Sequence, residues 1–236
     1  MIPDIWSYLS HGPLLWLGLT LGAYLVGDAI FTATGRNPLA NPVLLAIGIL
    51  AAVLLTTGTD YDTYFEGAQF VHFLLGPATV CLAVPLYANI AHVRRTALPM
   101  AAALLAGALV AMVSALGLAR LFGLDGAVLT ALTAKSVTAP VAIGIAERIG
   151  GPPTLTAALV LITGVTGGII VTPLLNALRV RDWRARGFAA GVAAHGIGTA
   201  RALQVHQTAG AFAGIGMALN AMLTSLLAPW VLALFR

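Results

Sequence analysis

Charge and cysteine are scarce in this chain: 8% of its 236 residues are charged, with one lysine and one cysteine. A single cysteine, Cys81, excludes an internal disulfide; in its apolar run it reads as a small core residue and assigns no redox compartment. No zinc-binding spacing and no nucleophile elbow occurs, so neither metal nor cofactor is expected. No polar stretch exceeds about a dozen residues, which leaves no room for a separate soluble domain. MIPDIWSYLSHGP carries no positively charged n-region and no small-residue cleavage pattern follows, so the first hydrophobic segment is expected to be retained.

What is abundant is apolar sequence. The composition is 59% hydrophobic and the mean hydropathy is +0.95, which predicts an all-α polytopic membrane protein, a single transmembrane domain over 1–236. The net charge of +4 comes almost wholly from arginines in short loops. It therefore reports orientation in a bilayer and not nucleic-acid binding.

Segments 13–34, 43–57, 67–92, 97–119, 126–146, 154–178, 189–206 and 210–235 are the candidate spans or breaks, giving about seven transmembrane helices plus broken or re-entrant pieces. The stretch TDYDTYFEGAQ, with Asp60, Asp62 and Glu66 among aromatics, suits a non-cytoplasmic interface. Pro77 and Pro85 make a continuous helix over 67–92 unlikely on steric grounds. Gly164, Gly167 and Gly168 offer a small-residue face for close helix contact, and small-residue faces of this kind suit a homodimer. Arg94 and Arg95, and the loop with Arg179, Arg181, Arg184 and Arg186, should both be cytoplasmic. Three segments separate them, so one should not cross. The stretch around Lys135 is the best candidate, because its polar residues and Pro140 suit a re-entrant hairpin lining a cavity.

Lys135 is the only lysine, in an uncharged run from Gly126 to Ala146. At bilayer depth a lysine costs roughly 2.5–3.5 kcal/mol on insertion scales, so it should face protein, water or an anion. The competing reading is a lysine snorkelling to the interface, with Ser136 and Thr138 bonded back to their own helix. Half-helix N-termini at Gly76–Val80, Lys135–Pro140 and His195–Thr199 would present unpaired N–H groups to a carboxylate or phosphate. Lys135 and Arg201 add full charges, and Thr79, Ser136, Thr138 and Thr199 add hydroxyls. Against this, Arg201 could be an interface anchor and His195 a satisfied structural donor. Asp28 and Glu147 lie near segment ends and read as interfacial or as paired with Arg148. Asn176 and Asn220 read as interhelical hydrogen-bonding residues. An enzyme is not expected: on a helix Lys135 would point about 100° away from Ser136, poorly placed to activate it.

GPATVCLAVPLY at 76–87, KSVTAPVAI at 135–143, HGIGTARAL at 195–203 and GAF at 210–212 resemble the LrgB/CidB family, over most of the chain from about residue 14. The resemblance implies a multi-pass protein of the bacterial inner membrane, beside a holin-like LrgA/CidA-type partner and described as modulating murein hydrolase export and lysis. It also implies transport, since a plastid member moves glycolate and glycerate and bacterial members are linked to pyruvate. The family's lysine-serine falls on Lys135 and Ser136, its proline-broken stretch on Gly76, Pro77 and Thr79, and its His-to-Arg motif on His195, Thr199 and Arg201. Ala134 stands where a proline often precedes the lysine, and Gln204, His206 and Ala209 stand where acids are common. The expectation is thus a secondary transporter of small monocarboxylates, such as glycolate, glycerate, lactate or pyruvate. It would work by alternating access in an inverted-repeat, elevator-type arrangement with proton coupling. The alternative is a non-transporting, antiholin-like regulator of the holin-type partner.

Overall fold

The computed structural model describes residues 12–74, 77, 80, 81, 84, 87 and 90–236. Every regular element among them is helical. Gly76, Thr79 and Pro85 lie outside the described residues, and Pro77 is exposed. The chain divides after residue 79 into two units.

The first unit holds α1 (Pro13–Ala33), a 3-10 turn (Pro38–Ala40), α2 (Pro42–Thr57) and α3 (Tyr61–Phe73). Proline sits at the start of α1 and α2, where a missing N–H costs nothing. The Asn41 side chain caps α2 by accepting from Val43 N at 2.9 Å. The stretch TDYDTYFEGAQ, read as interfacial, is helical from Tyr61 on. Asp60 caps it, accepting from Thr63 N at 2.8 Å, and Tyr61 stacks on Phe65 one turn on, centroids 5.6 Å apart. Tyr64 packs edge-on against Trp16, which is 1% exposed. Gly67 lets the two helices close, because a Cβ there would run into the Pro13 carbonyl.

The second unit holds α4 (Ile90–Arg95), α5 (Ala97–Leu121), α6 (Gly126–Thr133), α7 (Ala139–Arg148), α8 (Pro153–Ala177), α9 (Trp183–Val205) and α10 (Gln207–Ala233). Its 25-residue α5 and α8 and 27-residue α10 are each roughly 37–40 Å long, enough to cross a bilayer. With α1, four helices are long and apolar enough to span, against the seven expected, among the described residues.

The 8-residue α6 and 10-residue α7 rise only roughly 12 and 15 Å, so neither crosses. They form a re-entrant hairpin. Leu129 near the start of α6 packs with Leu116 and Ala119 at the end of α5 and with Leu232 at the end of α10; Ile149, just past α7, packs on the same cluster. Arg236 also donates to the Ile149 carbonyl at 3.0 Å, and Arg120 to the Phe235 carbonyl at 2.7 Å. Both feet of the hairpin therefore stand at one end of the unit. Its tip is residues 134–138.

The second hairpin lies within α9. Its backbone leaves helical geometry at Ala194 and at His195, with φ of 41°. The two arms then run side by side: a Cβ on Gly198 would sit 2.7 Å from the Ala190 carbonyl oxygen. The feet are closed by Trp183 stacked flat on His206, centroids 4.7 Å apart. These feet stand at the opposite end, with the Arg179–Arg186 loop. Met100 at the start of α5 packs with Phe188 and Phe212 there, so Arg94 and Arg95 share that end. The expectation that the Lys135 stretch does not cross is met. Hairpin plus spanning helix thus occurs twice, as α6–α7–α8 and α9–α10, entering from opposite ends.

The packing follows from glycine. Cβ atoms on Gly187 and Gly191 would collide with backbone at Ala209 and Ala213, so the first arm of α9 lies directly on α10. The predicted glycine face of α8 has a definite partner. A Cβ on Gly164 would meet the His195 ring at 2.5 Å, and one on Gly167 would run into Ala194.

Candidate functional site at the meeting of two hairpin tips

Asn220 stands 13 residues from either end of α10, at mid-depth, and is 1% exposed. Its Nδ2 donates to the Ser136 carbonyl at 3.1 Å and to the Val192 carbonyl at 3.0 Å. One amide thus ties both hairpins to the spanning helix. Thr224 Oγ1 donates to Asn220 Oδ1 at 3.4 Å. The interhelical role read for Asn220 is present; its position between the tips had no signal in the sequence.

At the first tip α6 ends at Thr133, whose hydroxyl bonds back to the Leu129 carbonyl at 2.8 Å. Lys135 and Ser136 lie in the turn that follows, not on a helix. The 100° argument against their contact therefore fails: Lys135 Nζ donates to Ser136 Oγ at 3.1 Å. That is the one hydrogen bond of the Lys135 ammonium among the described residues, and no carboxylate pairs with it. Ser136, 7% exposed, accepts from the lysine, which leaves its own O–H free to donate.

Thr138 occupies the N-cap of α7 without capping it, and its Oγ1 is buried with no hydrogen-bond partner. Pro140 sits in the first turn, where it supplies no N–H. The start of α7 consequently keeps unclaimed backbone donors beside a hydroxyl, with the positive end of the helix dipole behind them.

At the second tip His195 is 4% exposed, and its Nε2 lies 2.9 Å from the Val160 carbonyl of α8. A carbonyl only accepts, so that partner assigns the hydrogen to Nε2. The positive φ costs about 1–3 kcal/mol for a non-glycine residue and persists because the ring is held on α8.

The remaining predicted residues divide. Thr199 Oγ1 donates to the His195 carbonyl at 2.7 Å, the back-bonded state. Arg201 is half-buried and stands six residues along the second arm, a rise of roughly 9 Å from the break. The structure thus brings Lys135, Ser136 and His195 together at the tips. Arg201 belongs to the arm.

One residue with a definite structural role was missed. Arg186 is 8% exposed, lies over the Trp183 ring at 4.9 Å, and donates to the Val180 carbonyl at 2.9 Å. It pins the foot of the second hairpin to the end of α8. Nothing in RVRDWRARG distinguishes it from its neighbours except its place one helical turn after the Asp182 cap.

The LrgB-like family model matches residues 20–234 of this chain. Among relatives, the Bacillus subtilis protein YxaC is 36% identical over 218 residues, covering 92% of this chain and 94% of YxaC. The holin-like protein CidB of Staphylococcus epidermidis is 33% identical over 222 residues, covering 94% of this chain and 96% of the relative. CidB of Staphylococcus aureus is 34% identical over 199 residues, covering 84% and 87%. No solved structure matches. The motifs at the two tips, KSVTAP and HGIGTAR, fall inside the matched span, and the chain belongs to the LrgB family.

Proposed function

We propose that this protein is a carrier for small monocarboxylate anions of the glycolate, glycerate, lactate and pyruvate class, and not an enzyme. The observation that carries the reading is Lys135: an ammonium at mid-depth, bonded to a serine hydroxyl with no acid beside it among the described residues. A cation so placed needs a counter-charge. Ser136 O–H, Thr138 Oγ1 and the unclaimed N–H groups of α7 supply donors that a carboxylate accepts. One carboxylate satisfies the charge, and the hydroxyls suit a second oxygen on the neighbouring carbon.

Two hairpins entering from opposite ends suit alternating access, in which the site is opened first from one side and then from the other. The elevator movement is part of this proposal, as is a cytoplasmic placement of the arginine-rich end. Moving a monoanion inward against a negative-inside potential costs about 2.3 kcal/mol per 100 mV, which a co-transported proton cancels. Proton symport follows for uptake. His195 is a poor carrier while its Nε2–H is committed to Val160, and collapse of the pH gradient tests the coupling directly.

The second reading is a regulator of a holin-type membrane partner, favoured by the name holin-like protein carried by the CidB relatives. A homodimer and an LrgA/CidA-type partner are compatible with either. Uptake of labelled glycolate and pyruvate into proteoliposomes separates the readings. Saturable uptake lost in Lys135→Ala, with the variant still eluting as a folded species, supports the carrier. No uptake by folded native protein under any gradient supports the regulator.

A further inference from the structure

A groove of about 350 Å³ runs between α7 and α10, lined by Pro140, Val141, Gly144, Arg148, Ser225 and Pro229 among others. On α7 these positions follow one helical face, and Pro140 to Arg148 spans eight residues, a rise of roughly 12 Å. Its deep end is two residues past Thr138, whose hydroxyl is buried without a partner. Its outer end carries Arg148, exposed and with no hydrogen bond or ion pair among the described residues. Arg236 is fixed beside it on the Ile149 carbonyl. Glu147 is exposed at the neighbouring position, about 100° round the helix.

The lining is unlike a lipid-filled crevice. Pro229 cannot donate to the Ser225 carbonyl four residues back, so a backbone acceptor opens at the groove wall. Arg148 and Ser225, whose hydroxyl bonds back to the Ala221 carbonyl at 2.7 Å, add polar atoms to the wall, and a carbonyl left without its helical donor requires water or a ligand at membrane depth. Gly144 has open space where a Cβ would stand.

We infer that this groove is the route by which a small organic anion reaches the tip of the first hairpin from the end opposite the arginine-rich loop, and that Arg148 is its electrostatic gatekeeper. The inference rests on the carrier reading for its substrate but not for its accessibility. A cation at the mouth of a low-dielectric cleft raises the local concentration of anions, an effect of roughly 10-fold or more on encounter rate at low ionic strength.

The test uses Gly144→Cys in a Cys81→Ser background, in sealed right-side-out vesicles, with small membrane-impermeant thiol reagents. With each rate divided by that of the same reagent with a small thiol in solution, a sulfonate methanethiosulfonate should react roughly 10-fold faster than its trimethylammonium counterpart at low salt. The ratio should fall toward unity with Arg148→Gln or at high salt, and glycolate or pyruvate should slow the reaction. Equal or faster reaction of the cationic reagent overturns the inference. So does reaction with a membrane-soluble maleimide alone, which would make the groove a lipid crevice. Ser225→Cys serves if Gly144→Cys does not fold. Anion-selective labelling without substrate protection or uptake would sink the carrier reading and leave the groove an anion path; uptake lost in Lys135→Ala with the groove unlabelled would do the reverse.

Discussion

Replacing Asn220 by alanine removes a side chain that bonds to both hairpins, and the structure bounds the cost. Two buried bonds are lost, at 3.1 and 3.0 Å, from a residue 1% exposed. Bonds between membrane-embedded groups average about 0.6 kcal/mol, which sets a floor near 1 kcal/mol for the pair. A buried carbonyl left without a donor costs about 1–3 kcal/mol, which sets a ceiling near 6 kcal/mol. The tips are irregular and so offer few replacement donors, and a loss of about 3 kcal/mol is the expected outcome. Asn220→Asp sharpens the test. It keeps the volume but turns an acceptor toward two carbonyls, so at neutral pH it should be at least as damaging as alanine. Thermal unfolding in detergent, followed by tryptophan fluorescence, reads the stability, and uptake in proteoliposomes reads the site. Variants within about 0.5 kcal/mol of native, with native uptake, would refute the claim that Asn220 joins the tips.

Other predictions follow from the same geometry. Gly164→Val should push the His195 ring off the Val160 carbonyl, since a single Cβ already meets that ring at 2.5 Å; a lowered unfolding midpoint and lost uptake are expected, and an unchanged protein would contradict the packing. Cysteines at Asp125 and Glu147, in a Cys81→Ser background, should be labelled by impermeant reagents from the same face of the membrane, because the α6–α7 hairpin does not cross. Labelling from opposite faces would break that topology. The Arg184 guanidinium, hydrogen-bonded to Asp182 with help from the Arg184 backbone N–H, holds the Asp182 carboxyl down at about 2. Its contribution is therefore full above the ordinary carboxylate range near 4 and is lost as pH falls toward about 2. Asp182→Ala should cost about 1 kcal/mol as a lost helix cap, with no pH dependence between 5 and 8 from this residue; the group is exposed, so the ion pair itself adds little.

Much of this arrangement is legible in the chain. Arginine placement required that one of three segments fail to cross, because Arg94–Arg95 and the Arg179–Arg186 loop should share a side, and polarity with Pro140 pointed to the Lys135 stretch. Lys135, Thr138 and Pro140 marked the first break by polarity and a missing N–H, and Gly164 and Gly167 marked a helix that something approaches closely. The second hairpin was legible only as a breakable, glycine-containing segment. Its fold-back depends on the positive φ at His195, a residue type that does not announce one. The contact of Lys135 with Ser136 was misjudged because helical spacing was applied to residues that sit in a turn. At TDYDTYFEGAQ the helix that Asp60 caps and that aromatic pairs one turn apart support went unnamed in the sequence reading. Asn220 and Arg186 carry structure through partners on other elements, Ser136 and Val192 for one and Thr172 for the other, and no local pattern encodes such contacts.

The most direct test of the central claim is counterflow. Vesicles reconstituted with this chain alone are loaded with unlabelled glycolate or pyruvate and diluted into a trace of the labelled anion, so that no coupling ion or partner is required. A carrier built around Lys135 accumulates label transiently, and Lys135→Ala, folded but lacking the cation, does not. Native protein that is folded and shows no counterflow, or a Lys135→Ala variant that matches it, would contradict the account.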